Sequence, residues 1–436
     1  MDQGWRVVRL RGAASSTFGG LPAAFWWIWL ATLVNRLGGF VLPFFAFYVT
    51  GPLHRSAALA GLVTALFGAG AAVSGVVGGV LADRVGRKQT LVGSQLANAV
   101  TIAALGYARS PWALAVGAFA VGLATSASRP AQSAMIADLV PAGDRLRAYA
   151  LSFWAINLGF SFSMAAVGLV THFGYHALFY ADAASTALCA VLIAVMVRDT
   201  TPRDVIRAAR VGHDDVGVGQ RGERGRRSED GLGAVLRDRT FIAFVAAFFV
   251  LLTVFNQCQT GLPIAMAVGG LSPAVFGRIA AINGVLIVLL QMPITRLLRR
   301  YPDGRVLAGA GLMIGTGFGL LAFGQSVTMY VACTVVMTLG EIGNTPTSQA
   351  ITARLAPEHL RGRYQGVYQL SWTLAQIVSP LVGGAVISSY GGTPLWIGCF
   401  VVAAAVAPVF LRIGSHVARR TGEAAHAEAR PELAAA

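Results

Sequence analysis

Apolar runs long enough to cross a bilayer as helices recur along this chain, separated by short charged loops. A helix needs about 20 such residues to span about 30 Å of hydrocarbon. In that medium every backbone N–H and C=O must find a partner within the membrane structure, so a run of this length reads as a helix. Of the 436 residues, 55% are hydrophobic and 12% are charged, against about a quarter charged in soluble domains. Spans fall near 22–50, 57–82, 90–108, 111–139, 147–170 and 176–197, then near 240–262, 273–297, 305–324, 327–355, 363–388 and 393–413. The expectation is an all-α membrane protein with twelve transmembrane helices, residues 1–21 and 414–436 being tails.

The net charge of +15 would suggest a nucleic-acid partner in a soluble protein. Here the cations sit in short loops, and mostly on one side. Arg84, Arg87, Lys88, Arg145, Arg147, Arg296, Arg299, Arg300, Arg305, Arg361 and Arg363 share a side, while Arg55 and Arg109 face the other. Positive-inside bias therefore puts both tails and the middle loop in the cytoplasm. That loop, residues 198–239, has ten Arg offset by eight acids, which reads as a flexible linker and excludes a nucleic-acid patch. Cys189, Cys258, Cys333 and Cys399 lie within apolar runs without metal or disulfide spacing, and the seven His are unpaired, so no cofactor or metal is expected.

A fixed offset of 216 residues pairs Leu81 with Leu297, Arg84 with Arg300, Pro130 with Pro346, Pro141 with Pro357, Arg145 with Arg361 and Arg147 with Arg363. One offset across several loops indicates a duplicated six-helix unit, residues 22–197 and 240–413.

The loop Gly79-Val80-Leu81-Ala82-Asp83-Arg84-Val85-Gly86-Arg87-Lys88-Gln89-Thr90-Leu91 resembles the signature between helices 2 and 3 of the major facilitator superfamily. In the second half its counterpart is degraded, with Arg299 for Asp83 and Pro302 for Gly86. The run from Asn35-Arg36 through Gly38-Gly39 to Pro43 resembles the first-helix motif of bacterial drug:proton antiporters, its Pro expected to break the helix. The Gly-Pro pair that such antiporters carry on helix 5 is replaced here by Ser163-Met164. The resemblance implies two pseudo-symmetric six-helix bundles around a central cavity lined by helices 1, 4, 7 and 10. It also implies a cytoplasmic latch of Asp83, Arg84, Arg87 and Asp138, with Asp138 paired to Arg87.

Charges inside a bilayer are costly and mark cavities or partners. Arg36 on span 1, Arg129 on span 4 and Glu341 on span 10 are such charges on three cavity helices. A low dielectric favours a protonated carboxyl and a nearby guanidinium favours the anion, so a cavity Glu between them can load and release a proton. Glu341 is the leading proton site. Asp182 on span 6 is second, with a structural hydrogen-bonding role the simpler reading. Asn35, Trp154, Asn157, Asn256, Gln257, Gln259, Asn283, Asn344, Gln369 and Trp372 are candidate cavity residues, although Asn and Gln also join membrane helices to one another.

These features point to proton-driven efflux of a small amphipathic compound by a monomer in the bacterial plasma membrane. Proton-coupled uptake of a polar or anionic nutrient is the alternative. A receptor or sensor would need a signalling domain, and an intramembrane enzyme would need a nucleophile-base or metal constellation that the spans lack.

Overall fold

A computed structural model describes residues 20–141, 144–197, 232–298, 300–357 and 360–434, and every regular element among them is helical. Residues 198–231, most of the expected linker, lie outside the described set. Span 1 is two helices, α1 (Ala23–Leu37) and α2 (Val41–Thr50). There follow α3 (Ala57–Arg84), α4 (Arg87–Leu105), α5 (Pro111–Leu139), α6 (Arg145–Thr171) and α7 (Tyr175–Met196). The second half opens with the short α8 (Leu232–Arg237). Span 7 is α9 (Arg239–Phe255), a 3-10 turn (Asn256–Cys258) and α10 (Gly261–Val268). Then come α11 (Pro273–Leu298), α12 (Asp303–Leu320), α13 (Val327–Leu355), α14 (Arg361–Tyr390) and α15 (Gly392–Ala434). The last helix runs on through residues expected as a tail, a stretch rich in the good helix formers Ala, Glu and Arg.

Helix boundaries repeat the 216-residue offset. Ala23 and Arg239, Ala57 and Pro273, Arg87 and Asp303, and Arg145 and Arg361 each open corresponding helices. Even the caps repeat. Ser110 accepts a hydrogen bond from the Ala113 N–H at 3.2 Å to start α5, and Ser326 accepts one from the Met329 N–H at 3.3 Å to start α13.

Ten of the described helical segments are long and apolar enough to cross a membrane. The two predicted spans outside that set are α4 and α12, which begin at offset positions. Each is covered by protein, α4 by α5 and α7, α12 by α13 and α15. α4 accordingly buries Thr90, Ser94, Gln95 and Asn98, and α12 brings backbones close through glycines such as Gly317 against α13. Protein neighbours supply the hydrogen bonds and close contacts that lipid cannot.

Contacts group the chain into two units, Met1–Val41 with Gly70–Val216, and Leu42–Ala69 with Gly217–Ala436. In the first, α3 and α5 meet along Gly70, Ser74 and Gly78, spaced four residues apart, and the Ser74 hydroxyl donates to the Leu123 carbonyl at 2.5 Å. In the second, Gly61 of α3 lies against Pro380 and Gly384 of α14, and a Cβ on Gly384 would fall 2.8 Å from the Ala57 carbonyl oxygen. The segment 42–69, which the sequence places in the first bundle, therefore packs with the second unit.

The expected proline break in span 1 is displaced. The helix stops at Gly38, five residues before Pro43, and Pro43 sits in the first turn of α2, where its missing N–H leaves no bond unmade. A Cβ on Gly38 would collide with Ser185 of α7, so glycine permits the approach that ends α1.

Candidate functional site

In the first unit, Arg36 lies in the last turn of α1 and Arg129 in the C-terminal half of α5, and both line one pocket. Thr32, Asn35, Gln95, Thr125, Ser128, Gln132 and Cys189 complete its polar wall, with Leu91 and Ile193 on the apolar side. Gly159 of α6 makes room for Arg36, because a Cβ there would lie 3.1 Å from the Leu33 carbonyl oxygen and against the Arg36 Cβ. Arg129 is an exposed residue. Arg36 Nε is buried without a hydrogen-bond partner among the described residues.

The neutral wall is largely satisfied within itself. Gln132 Nε2 donates to Thr32 Oγ1 at 2.7 Å, and the Thr125 hydroxyl donates to Asn98 at 2.9 Å. Asn35 Nδ2 donates to Thr186 Oγ1 at 3.0 Å. Asp182 is buried close by, but its carboxylate serves a helix end. Oδ2 accepts the Val41 N–H at 3.0 Å and Oδ1 accepts from the Thr186 hydroxyl at 3.5 Å. Val41 opens α2, so Asp182 acts as an N-cap supplied by another helix, with the anion at the positive end of the helix dipole. Asp182 thus occupies a hydrogen-bonding position at the break in span 1.

In the second unit, Glu341 of α13 is half-buried, and Asn283 of α11 donates one amide hydrogen to its Oε2 at 2.8 Å. The same amide donates to Thr338 Oγ1 at 2.9 Å, one turn away. Within this unit no Arg or Lys lies at ion-pair distance from Glu341 among the described residues.

Two ion pairs join the start of one helix to the end of another. Arg87, first residue of α4, pairs with Asp138 at the end of α5, as the family resemblance implies. In the second unit Arg354 at the end of α13 pairs with Asp303, first residue of α12, at 2.5 Å. Asp303 and Arg354 stand at the 216-residue offset from Arg87 and Asp138, so the pair is duplicated with its charges exchanged. The sequence reading missed it, although the offset was the available signal. Arg84 is exposed in the last turn of α3, and the side chain of Asp83 lies outside the described set. Gly86 between α3 and α4 has φ +111°, which favours glycine at this turn.

The remaining candidates divide. Asn256 and Gln257 are buried, and their amides are committed to packing. Asn256 donates to the Leu252 carbonyl, and Gln257 donates to the Ser379 carbonyl, each at 2.9 Å. Asn344 is buried with Oδ1 unpartnered among the described residues. Trp372 packs edge-on against Phe248 and Phe255. Gln259, Gln369 and Trp154 are exposed, and Asn157 is half-buried, donating to the Phe153 carbonyl. The sequence reading also passed over Thr125, Ser128 and Gln132, whose spacing around Arg129 puts them on one face of α5. Among the described residues no group of His, Cys, Asp and Glu is arranged to hold a metal, and the four cysteines are free.

A sequence model described as Major Facilitator Superfamily matches residues 28–269 and 259–433. The chain is 26% identical to a Na(+), Li(+), K(+)/H(+) antiporter of Planococcus maritimus, over 83% of this chain and 89% of that one. It is also 26% identical to the multidrug resistance protein MdtH of Aeromonas hydrophila, over 83% and 86%. Among solved structures it is similar to a POT family transporter in complex with 5-aminolevulinic acid, with a TM-score of 0.73, 16% identity and coverage of 92% and 97%. The nucleoside transporter NupG aligns with a TM-score of 0.72, 15% identity and coverage of 90% and 99%.

Proposed function

This chain belongs to the major facilitator superfamily and is a multi-pass membrane transporter, and from that premise we propose that it exports a small amphipathic compound in exchange for protons. The observation that carries the reading is Glu341. It is a half-buried carboxyl on a membrane helix whose described partner is a neutral amide, Asn283. An amide hydrogen can stay on Oε2 in both protonation states, which leaves the other oxygen to take up or release a proton. The antiporter and the multidrug resistance protein to which the chain is similar carry names consistent with this chemistry.

In this reading all twelve spans cross the plasma membrane, both termini are cytoplasmic, and the protein works as a monomer by alternating access. The Arg87–Asp138 pair then helps to hold one of the alternating states. Metal-cation exchange is disfavoured physically, because Arg36 and Arg129 make the pocket of the first unit positive.

Inverted membrane vesicles test the proposal. Energised by an inward-acid pH gradient, they should accumulate some members of an amphipathic panel, and collapse of the gradient should release them. Accumulation only in right-side-out vesicles would establish uptake instead. Gradient-driven movement of Na+ or K+ alone would replace the organic substrate with a cation.

A further inference from the structure

We propose that the pocket between α1 and α5 is an anion subsite, in which Arg36 and Arg129 hold the carboxylate or phosphate end of an amphipathic substrate while Leu91 and Ile193 border its apolar body. The inference rests on the reading of the chain as a transporter of small amphipathic compounds, and it adds the charge class. Two arginines line this pocket, and no acid among the described residues lines it with them. Asp182 is close enough to act on Arg36 electrostatically, but its carboxyl group is engaged by the Val41 N–H and Thr186. No ion pair joins it to either arginine among the described residues. Arg36 Nε is buried without a hydrogen-bond partner among the described residues, so a donor at the pocket wall is unmet.

A structural arginine in a membrane helix would be expected to bind a carboxylate or backbone carbonyls of its neighbours. The hydrogen bonds of the wall run instead between neutral groups, as from Gln132 to Thr32. Guanidinium groups offer planar, paired donors that match carboxylate and phosphate oxygens, and they cannot discharge by losing a proton. Asp182 acts on Arg36 only from beyond ion-pair distance, so two arginines lining one pocket are complementary to an anion that arrives with the ligand.

The test measures equilibrium binding to the purified full-length protein in neutral phosphatidylcholine nanodiscs, with 2-naphthoate and its uncharged isostere 2-naphthamide as probes. Wild type should bind the acid at least about tenfold more tightly than the amide, and Arg129→Gln should reduce that preference to about twofold or less. Arg36→Lys keeps the charge but loses the fork, so it should retain part of the preference and covers the case in which Arg36→Gln does not fold. Equal binding of acid and amide by wild type would overturn the subsite, as would a preference that survives undiminished in Arg129→Gln. Nanodiscs containing phosphatidylglycerol, and inorganic phosphate alone, distinguish other sources of the same chemistry. If either blocks naphthoate through the same arginines, the site holds a lipid headgroup or a free anion, and the substrate assignment falls. No gradient enters the measurement. Failure of proton-driven export in vesicles therefore leaves this result standing, and failure here leaves export untouched.

Discussion

The two halves break their first helices at related places and hold the broken ends with different chemistry. In span 1 the gap after Gly38 is held by a carboxylate, Asp182 of α7, on the Val41 N–H. In span 7 the gap runs through the 3-10 turn, and neutral groups hold it. Gln257 donates to the Ser379 carbonyl of α14, and Thr260 and Ser379 share a hydroxyl contact at 3.2 Å. Charge elsewhere is exchanged in the same way. The first unit carries Arg36 and Arg129 at membrane depth, and the second carries Glu341, whose offset counterpart is Thr125 in the arginine pocket. At the helix ends Arg87–Asp138 becomes Asp303–Arg354. Helix starts recur at the 216-residue offset while the charges differ, so the pocket of one unit has two arginines where the other unit has an acid.

The largest expected effect separates those roles. Glu341→Gln should bring substrate accumulation in energised vesicles down to about one, the value of passive equilibration, while binding of an uncharged compound changes by less than about twofold. Arg129→Gln should do the reverse, weakening acidic compounds while leaving proton-linked movement of neutral ones. If Glu341→Gln still concentrates substrate, the acid of the second unit is not the coupling group and the contrast between halves fails.

Next come the broken helices. Asp182→Ala removes a charged cap in a buried site and should cost about 2 kcal/mol. Asp182→Asn keeps an acceptor and should recover about half of that. Gln257→Leu removes a neutral partner and should cost about 1 kcal/mol. Equilibrium unfolding of the three variants ranks them. A Gln257→Leu loss equal to that of Asp182→Ala would show that charge adds nothing to the first break.

Much of this organisation was legible because lipid punishes deviation. Apolar runs fixed where helices lie, and the rarity of charge within them exposed Arg36, Arg129 and Glu341. The break in span 1 was placed at Pro43 because proline is the louder signal, yet a tertiary contact decides it, the room that Gly38 leaves for Ser185. Amides were the least legible. Asn283 meets Glu341 whereas Asn256 and Gln257 serve their own helix or α14, and the residue type alone cannot separate these fates. The grouping of residues 42–69 with the second unit depends on which helix Gly61 meets, and that information lies in the fold.

Smaller effects belong to the exchanged ion pairs. Their side chains are 24% and 15% exposed for Arg87 and Asp138, but 53% and 22% for Arg354 and Asp303. Solvent screens the second pair more, so breaking it should cost about 0.5 kcal/mol against about 1 for the first. If the halves tolerate exchanged charge, Arg87→Asp should impair transport and the double variant Arg87→Asp/Asp138→Arg should restore most of it. A double variant no better than Arg87→Asp alone would mean that position-specific neighbours, and not the pair, set the polarity.

The smallest effect tests the part of the duplication that has not diverged. Ser110 and Ser326 cap helices of the same length, 29 residues, each accepting one N–H three residues on in an exposed setting. Alanine removes the acceptor and returns that N–H to water, so each change should cost about 1 kcal/mol or slightly less. Exposure, partner spacing and helix length are shared, and no ionisable group takes part in either bond. The two losses should therefore agree within about 0.3 kcal/mol and add in the double variant, since the sites lie in separate units and share no partner. Unfolding free energies of Ser110→Ala, Ser326→Ala and the double variant decide it. A loss at one site only would show that divergence has reached the helix caps, and the charge exchange would then be one case of a general drift between the halves.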